Sequence, residues 1–153
     1  MLHVLVLSSD SARARPIIEA AKSKDHAVVL ATSLTDMQSL LRKHKDCVVL
    51  HDIPGFGYPP GEVLSASVTM GVPAIVVAHE FDPAQWIELF RLGACDVLRG
   101  PVSPAELHRS IGAAVRSLPH AAHPPGRTGE AESWRVRIRR WGRKFLQPLL
   151  VID

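Results

Sequence analysis

The stretch DCVVLHDIPGFG, Asp46–Gly57, decides the fold class. Its apolar run, Cys47–Leu50, is too short for a helix and is partly β-branched. The run stops at the polar pair His51 and Asp52, which a Pro-Gly turn signal follows. This pattern predicts a central parallel strand that ends at Leu50 and runs into a loop. Because sites in open α/β sheets lie at the carboxyl ends of the strands, we expect any chemistry of this chain to lie here.

Four further apolar runs of strand length alternate with helical patterns along the chain. The runs are His3–Leu7, Ala27–Ala31, Ala74–Ala78 and Asp96–Leu98. The helical patterns are Ala14–Ser23, a second that opens at Ser33, Pro60–Met70, a fourth from Asp82 to Gly93, and a fifth that opens at Ser103. Ser and Asp are preferred N-cap residues, and Pro follows the caps of the last two helices. Such alternation predicts a three-layer α/β sandwich with a parallel sheet.

Charge divides the 153 residues into three segments. Residues 1–118 carry 11 Lys/Arg against 12 Asp/Glu and form the predicted domain. Residues 119–132 are rich in Pro, Gly and Ala and predict a linker. Residues 133–153 carry 6 basic against 1 acidic side chain, which accounts for the basic pI of the whole chain. Any anionic partner indicated by the charge therefore belongs to this tail.

Cysteine usage and hydropathy predict a cytoplasmic protein. Cys47 and Cys95 each lie ahead of an apolar run, which is typical of reduced thiols, and they indicate no disulfide framework. The N-terminal apolar run is too short for a signal peptide, and no segment approaches the roughly 20 apolar residues of a membrane-spanning helix.

Four segments together resemble the receiver domain of bacterial response regulators, the CheY-like family. They are HVLVLSSDSARA, DCVVL, VPAIVVAHE and, most specifically, GACDVLRGPVSPAEL at Gly93–Leu107. The resemblance covers residues 1–118 and implies a flavodoxin-like fold, with five strands in the order 2-1-3-4-5 and five helices. It also implies a cis bond before Pro101. Receivers transfer a phosphoryl group to an aspartate at the end of the third strand, beside Mg²⁺ held by an acidic pair.

Carried onto this sequence, the family's site is degenerate. The family's acidic pair falls on Ser8 and Ser9, which leaves Asp10 as the only acidic residue there, and the phosphoacceptor position falls on His51. The positions of the family's hydroxyl, lysine and aromatic residues fall on Ala78, Gly100 and Val97. With no lysine and one carboxylate for Mg²⁺, the resemblance implies an atypical (pseudo-)receiver without catalytic residues. Asp52 is one residue past the acceptor position, and we expect it to be a solvent-exposed loop residue instead of a phosphoacceptor.

A metal site is the second chemical alternative at this edge. His51 and His79 end adjacent predicted strands, with Asp10, Asp52 and Glu80 nearby, and two imidazoles with a carboxylate can hold Zn²⁺. No tight ligand spacing supports such a site, so we expect partly exposed loop histidines, no metal and no cofactor.

Two aromatic pairs are candidates for partner binding. Phe56 and Tyr58 lie in the loop PGFGYPPG, either as anchors for a partner or as a lid over the vacant acidic pocket. Trp86 and Phe90 form an i, i+4 pair on the fourth predicted helix, where receivers dock partners through the face of helix 4, strand 5 and helix 5. Helical spacing alone also allows both to be core residues, and we favour the interface slightly.

The tail combines aromatic and basic residues. The contact candidates are Trp134, Arg135, Arg137, Arg139, Arg140, Trp141, Arg143 and Lys144. As a helix, the segment places its aromatics on one stripe flanked by cations, which suits an anionic membrane surface or an acidic partner. As a strand, WRVRIRR alternates apolar and basic residues. Nucleic acid is a further candidate partner, and packing on its own domain or on a second copy is the structural alternative.

The sequence thus predicts a phosphorylation-independent, non-enzymatic signalling or scaffold module that acts through protein–protein interaction, including homodimerisation. A nucleic-acid-binding or membrane-surface adaptor acting through the tail is the first alternative. A phosphoacceptor response regulator that uses Asp52 is the second.

Overall fold

A computed structural model describes residues 1–54, 60–80 and 82–116 of the chain. Five strands and five helices alternate: β1 (Leu2–Leu7), α1 (Ser11–Ala21), β2 (His26–Ala31), α2 (Leu34–Lys43), β3 (Cys47–Ile53), α3 (Gly61–Thr69), β4 (Ala74–Ala78), α4 (Pro83–Arg91), β5 (Asp96–Arg99) and α5 (Pro104–Arg116). The strands form one parallel sheet in the order β2-β1-β3-β4-β5. The predicted flavodoxin-like sandwich is confirmed.

Side-chain caps fix where the helices begin, as the sequence predicts for three of them. Ser33 accepts a hydrogen bond from the N–H of Asp36, and Ser103 accepts one from the N–H of Glu106. Asp82 accepts one from the N–H of Ala84. Each cap satisfies a backbone donor that has no partner within the first turn of the helix.

The first helix begins at Ser11, three residues before the predicted start. Asp10 is its N-cap, because its carboxylate accepts from the N–H groups of Ala12 and Arg13. Pro16 therefore lies inside the helix, where its ring removes one backbone hydrogen bond. The earlier start places Arg13 in the first turn, next to the end of β1.

The third strand is three residues longer than the apolar run that predicts it. β3 continues through His51, Asp52 and Ile53, which pair in register with Val76, Val77 and Ala78 of β4. All seven residues of β3 are buried. The prediction of Asp52 as a solvent-exposed loop residue is therefore wrong, because pairing with β4 carries the polar pair into the centre of the sheet.

The sheet separates two apolar layers. Alternate residues of β3 point to opposite faces, with Val49 and Ile53 in one layer and Val48 and Leu50 in the other. Helices α2, α3 and α4 cover the first layer, and α1 and α5 cover the second. By the same alternation His51 belongs to the first face and Asp52 to the second.

Trp86 and Phe90 belong to the core and not to an interface. Their exposed fractions are 2% and 3%, and both pack in the layer beneath α4. Leu92, which the spacing favours for the core, is instead 37% exposed. The partner-binding interpretation of this pair is wrong, because α4 turns its aromatic side chains towards the sheet.

Several sequence predictions lie outside the described residues. They concern Phe56, Tyr58, the linker at residues 119–132 and the tail at residues 133–153. Within the described ranges, Cys47 and Cys95 form no disulfide, and no helix is long and apolar enough to cross a membrane. The Gly100–Pro101 bond is cis, as the resemblance implies.

Replacing Phe90 tests its assignment to the core. We expect Phe90→Ala to lower the free energy of unfolding by about 3–5 kcal/mol, because it removes a buried ring and leaves a cavity. Leu92→Ala, near the end of the same helix, is the matched control and should cost less than about 1 kcal/mol. Denaturant unfolding measures both, and equal losses for the two variants would contradict the assignment.

Candidate functional site

Asp52 is the centre of the polar cluster at the carboxyl edge of the sheet. It is the penultimate residue of β3, and its side chain is fully buried. Leu7 pairs with His51, so the next residue of the first chain segment, Ser8, lies beside Asp52. Strand pairing alone thus brings a hydroxyl and a carboxylate together at this edge.

Three donors occupy the two carboxylate oxygens of Asp52. The Ser8 hydroxyl lies 2.9 Å from Oδ2, and Arg13 Nε donates to the same oxygen at 2.6 Å. His79 Nε2 lies 2.7 Å from Oδ1. We call Ser8, Arg13, Asp52 and His79 the Asp52 cluster. Its members come from four places in the chain, the end of β1, the first turn of α1, β3, and the residue after β4.

Burial and hydrogen bonding act in opposite directions on the Asp52 carboxyl. Desolvation raises its pKa, while hydrogen bonds from Arg13, His79 and Ser8 and the charge of Arg13 lower it, and the pKa is lowered overall. The carboxyl is therefore ionised at neutral pH and can only accept hydrogen bonds. It follows that His79 Nε2 carries a hydrogen and donates it.

Gly100 makes room for the His79 ring. A Cβ atom placed on Gly100 would lie 2.5 Å from His79 Nδ1, well inside contact distance. Gly100 is the position at which the receiver resemblance places a lysine. Here the space beside the missing side chain holds the imidazole of His79, the residue after β4.

The hydroxyl of Ser8 also links the cluster to the start of α1. Ser8 Oγ lies 3.0 Å from the carbonyl oxygen of Asp10 and accepts from the Asp10 N–H at 3.2 Å. A hydroxyl has one hydrogen to donate, so it bonds either this carbonyl or Asp52 at a given moment. The Asp10 carboxylate caps α1, so its Oδ1 accepts from backbone N–H groups.

His51 lies on the opposite face of the sheet from the Asp52 cluster. Its side chain is buried, and desolvation lowers the pKa of the imidazole to about 4, against the smaller opposing effects of the Leu7 backbone and the Asp52 charge. The ring is therefore neutral at physiological pH. The prediction that His51 is a partly exposed loop residue is therefore wrong. His79, by contrast, is partly exposed, since 30% of its side chain is accessible to solvent.

The structure does not bring all the predicted site residues together. Ser8 and Asp52 bond each other, Asp10 and Gly100 support the cluster, and Ser9 is exposed. Ala78 is buried in the layer on the His51 side. Among the residues described, no group of three His, Cys, Asp or Glu side chains is arranged to hold a metal ion.

Arg13 is the member of the cluster that sequence reasoning missed. It is 39 residues from Asp52 in the chain, and its neighbour Arg15 has the same chemistry. The signal available was the N-cap at Asp10, which fixes the first turn of α1 and places residue 13 above the end of β1. Arg15 is exposed instead.

Comparison with solved structures places this architecture among receiver domains. A response regulator receiver domain from Clostridium thermocellum is 21% identical, with a TM-score of 0.64, over 76% of this chain and 95% of that chain. FixJ-N is 16% identical, with a TM-score of 0.67, over 78% of this chain and 97% of that chain.

A CheY-like receiver domain protein from Methanospirillum hungatei is 18% identical, with a TM-score of 0.64, over 77% of this chain and 96% of that chain. No protein-family model and no curated protein matches the sequence. The chain has the fold of response regulator receiver domains.

Asp52→Asn tests the energetic role of the cluster. The amide removes the charge that Arg13 and His79 face, and we expect the free energy of unfolding to fall by about 1–3 kcal/mol. This loss of free energy stays below the loss that follows from breaking a fully buried ion pair, because the side chains of Arg13 and His79 are partly exposed to solvent. Asp25→Asn, an exposed position, is the matched control. Denaturant unfolding at neutral pH measures both, and an unchanged Asp52→Asn variant would contradict this role.

His51 predicts a specific pH dependence of stability. Its pKa is about 4 in the folded protein against an ordinary value of 6.5, so the unfolded chain binds more protons between these values. We expect the contribution of His51 to the free energy of unfolding to be complete above pH 6.5 and to fall by about 3 kcal/mol as the pH decreases to 4. The pKa of Asp52 is lowered in the folded protein, so the stability that its carboxylate contributes is lost only at a lower pH, below 3.8.

The measurement compares wild type with His51→Leu, which keeps the side-chain volume close to that of histidine. Other titrating groups are common to both proteins, so the difference between their stability–pH curves isolates His51. We expect a flatter curve for the variant between pH 4 and 6.5. Parallel curves would contradict a buried neutral imidazole.

Proposed function

We propose that this chain is a phosphorylation-independent, non-enzymatic receiver-like module that acts in the cytoplasm by binding a protein partner in a bacterial regulatory system. The observation that carries the proposal is the occupancy of the Asp52 carboxylate. Oδ2 accepts from Ser8 and Arg13, and Oδ1 accepts from His79. We infer that these internal donors compete with a phosphoryl group for the carboxylate oxygens.

Phosphoryl transfer needs groups that the described residues at this edge of the sheet do not supply. A carboxylate nucleophile must direct a free lone pair at phosphorus, and Mg²⁺ requires hard oxygen ligands, carboxylates above all. The positions of the family's acidic pair are Ser8 and Ser9, and Asp10 directs its carboxylate to α1. Gly100 has no amine to neutralise a phosphoryl oxygen, and the arginine charge is already paired with Asp52.

The same bonds connect the cluster to α4. His79 bonds Asp52, and the carbonyl of the next residue, Glu80, accepts from Trp86 Nε1 at 3.2 Å. Two consecutive residues of the connection between β4 and α4, His79 and Glu80, are thus each hydrogen-bonded. A receiver that signals by moving this connection needs two arrangements of it, and internal donors stabilise one. We therefore infer that partner binding is constitutive and regulated by abundance or by the partner.

Treatment with acetyl phosphate and Mg²⁺, followed by intact-mass measurement, tests phosphorylation independence. We expect no stable mass increase of one phosphoryl group in the wild-type chain, while a receiver with the complete site gains one under the same conditions. A stable adduct in wild type that is absent from Asp52→Asn would overturn the proposal. It would then favour the alternative of a phosphoacceptor response regulator, which the position of Asp52 at the end of β3 beside Ser8 supports.

Protein binding has its own test. Co-purification of the untagged chain from its native cells, with and without residues 133–153, distinguishes a partner of the domain from a partner of the tail. The homodimer, the nucleic-acid and the membrane alternatives concern mainly the tail, and they stay predictions.

A further inference from the structure

The strand β2 forms one lateral edge of the sheet. Among the described strands its only partner is β1, so its other side faces away from the sheet. Five of its six residues are partly exposed, and only Ala31 is buried. An edge strand presents backbone N–H and C=O groups that can pair with another chain. The outer side of β2 is therefore a candidate interaction surface.

The other lateral edge of the sheet is protected in ways that β2 is not. β5 has four residues, with the charged residues Asp96 and Arg99 at its two ends. Short strands and charged side chains are common means by which proteins prevent pairing at an edge. β2 has six residues, HAVVLA, and contains no Lys, Arg, Asp, Glu, Pro or Gly. Pairing with another chain is thus disfavoured at β5 and not at β2.

Hydrogen bonding identifies the backbone groups of β2 that face outwards. The carbonyl of Ala31 accepts from the N–H of Ser8, which follows β1, so the backbone of Ala31 faces β1. The backbone groups of successive residues alternate between the two sides of a strand, and those of Val28 and Leu30 therefore face outwards. In the part of the chain that the structure describes, neither residue forms a backbone bridge on this side.

The chain itself occupies the two ends of this outer side. At the amino end, His26 forms an antiparallel bridge with Ser23. At the carboxyl end, the N–H of Thr32 donates to Asp36 Oδ2 at 3.2 Å. The backbone groups that remain belong to the two outward-facing residues between these ends, one on each side of Val29.

This arrangement is complementary to itself. In an antiparallel pair centred on Val29, Val28 of one copy lies opposite Leu30 of the other, and the two residues exchange both of their backbone hydrogen bonds. The two-fold axis repeats this exchange, so the outward N–H and C=O groups of both copies are all satisfied. Val29 then lies opposite Val29 of the second copy, and Ala27 lies opposite Ala31. The side-chain pairs on this face are thus aliphatic, as cross-strand pairing favours.

Charge favours the same antiparallel orientation. Lys24, which is exposed, precedes β2, and the Asp36 carboxylate lies at the carboxyl end of β2, where it accepts from Thr32. Antiparallel pairing places the amino end of one strand beside the carboxyl end of the other, so each lysine approaches the carboxylate of the second copy. Parallel pairing would bring like charges together, which is unfavourable.

We propose that two copies of this chain associate through β2, which pairs antiparallel with β2 of the second copy and joins the two sheets into one. This inference goes beyond the proposed function, because a second copy can pair at this edge whatever other protein the module binds. β1 separates β2 from β3, so the pairing does not involve the Asp52 carboxylate.

Sedimentation equilibrium of the full chain at several concentrations tests the pairing. We expect wild type to be a monomer and a dimer in exchange, with a dimer fraction that rises with concentration. Val29→Lys should raise the dissociation constant of the dimer roughly tenfold or more, because it places two like charges directly opposite each other. Val29 is partly exposed, so the ammonium group of the lysine can reach solvent in the monomer.

The matched control makes the same substitution away from β2. Val68 is 57% exposed in the last turn of α3, where it adjoins Gly93. Val68→Lys changes the net charge by the same amount and should leave the dissociation constant within about twofold of wild type, as expected for an exposed position outside the interface. Unfolding midpoints verify that each variant is folded.

Amide hydrogen exchange of wild type provides a measurement that needs no variant. The N–H groups of Val28 and Leu30 should exchange more slowly as the protein concentration rises, because pairing between copies protects them. The N–H of Val29 faces β1 and should exchange slowly at every concentration.

Five results would overturn the proposal. A wild-type chain that is monomeric at every concentration has no such dimer. A dissociation constant that Val29→Lys leaves unchanged, or a dimer in which Val28 and Leu30 still exchange fast, would assign the dimer to another surface. An equal rise for Val68→Lys would reduce the effect to net charge. A monomer with slow exchange at both positions would show that another segment of the chain covers this edge. None of these results bears on the acetyl phosphate test, so the two proposals fail separately.

Discussion

The ionised carboxylate of Asp52, buried in the central strand, is the constraint on which the carboxyl edge of the sheet depends. Removal of a carboxylate from water costs several kcal/mol unless charged or polar donors replace the lost hydration. In this chain the replacement comes from Ser8 after β1, Arg13 in α1 and His79 after β4. One buried charge thus joins three separate segments to β3.

The same hydrogen bonds hold the Asp52 carboxylate in place. Both of its oxygens accept from internal donors, Oδ2 from Ser8 and Arg13 and Oδ1 from His79. Gly100 makes the bond between His79 and Asp52 possible because it has no side chain, since a Cβ atom there would collide with the His79 ring. The departures from the receiver pattern are therefore linked. Gly100 is the position at which the resemblance implies a lysine, and the imidazole of His79, the residue after β4, lies beside it and bonds the Asp52 carboxylate.

Polarity along the strand direction follows from the way the helices are capped. Each described helix has an acidic residue at its N-cap or in its first turn, and α2, α4 and α5 have basic residues in their last turns, as the helix dipole favours. Because these helices all run the same way relative to the sheet, their acidic starts lie at one edge.

Local signals in the sequence determined the element order, the helix caps at Ser33, Asp82 and Ser103, and the sheet order through the receiver resemblance. Such signals suffice because a cap or an apolar run acts within a few residues. Only the tertiary structure decided that β3 extends to Ile53, that Trp86 and Phe90 face the core, and that Arg13 and His79 bond Asp52. Those partners are 39 and 27 residues away along the chain. Their contact depends on strand register and helix rotation, which arise when the layers pack and which no short stretch of sequence encodes.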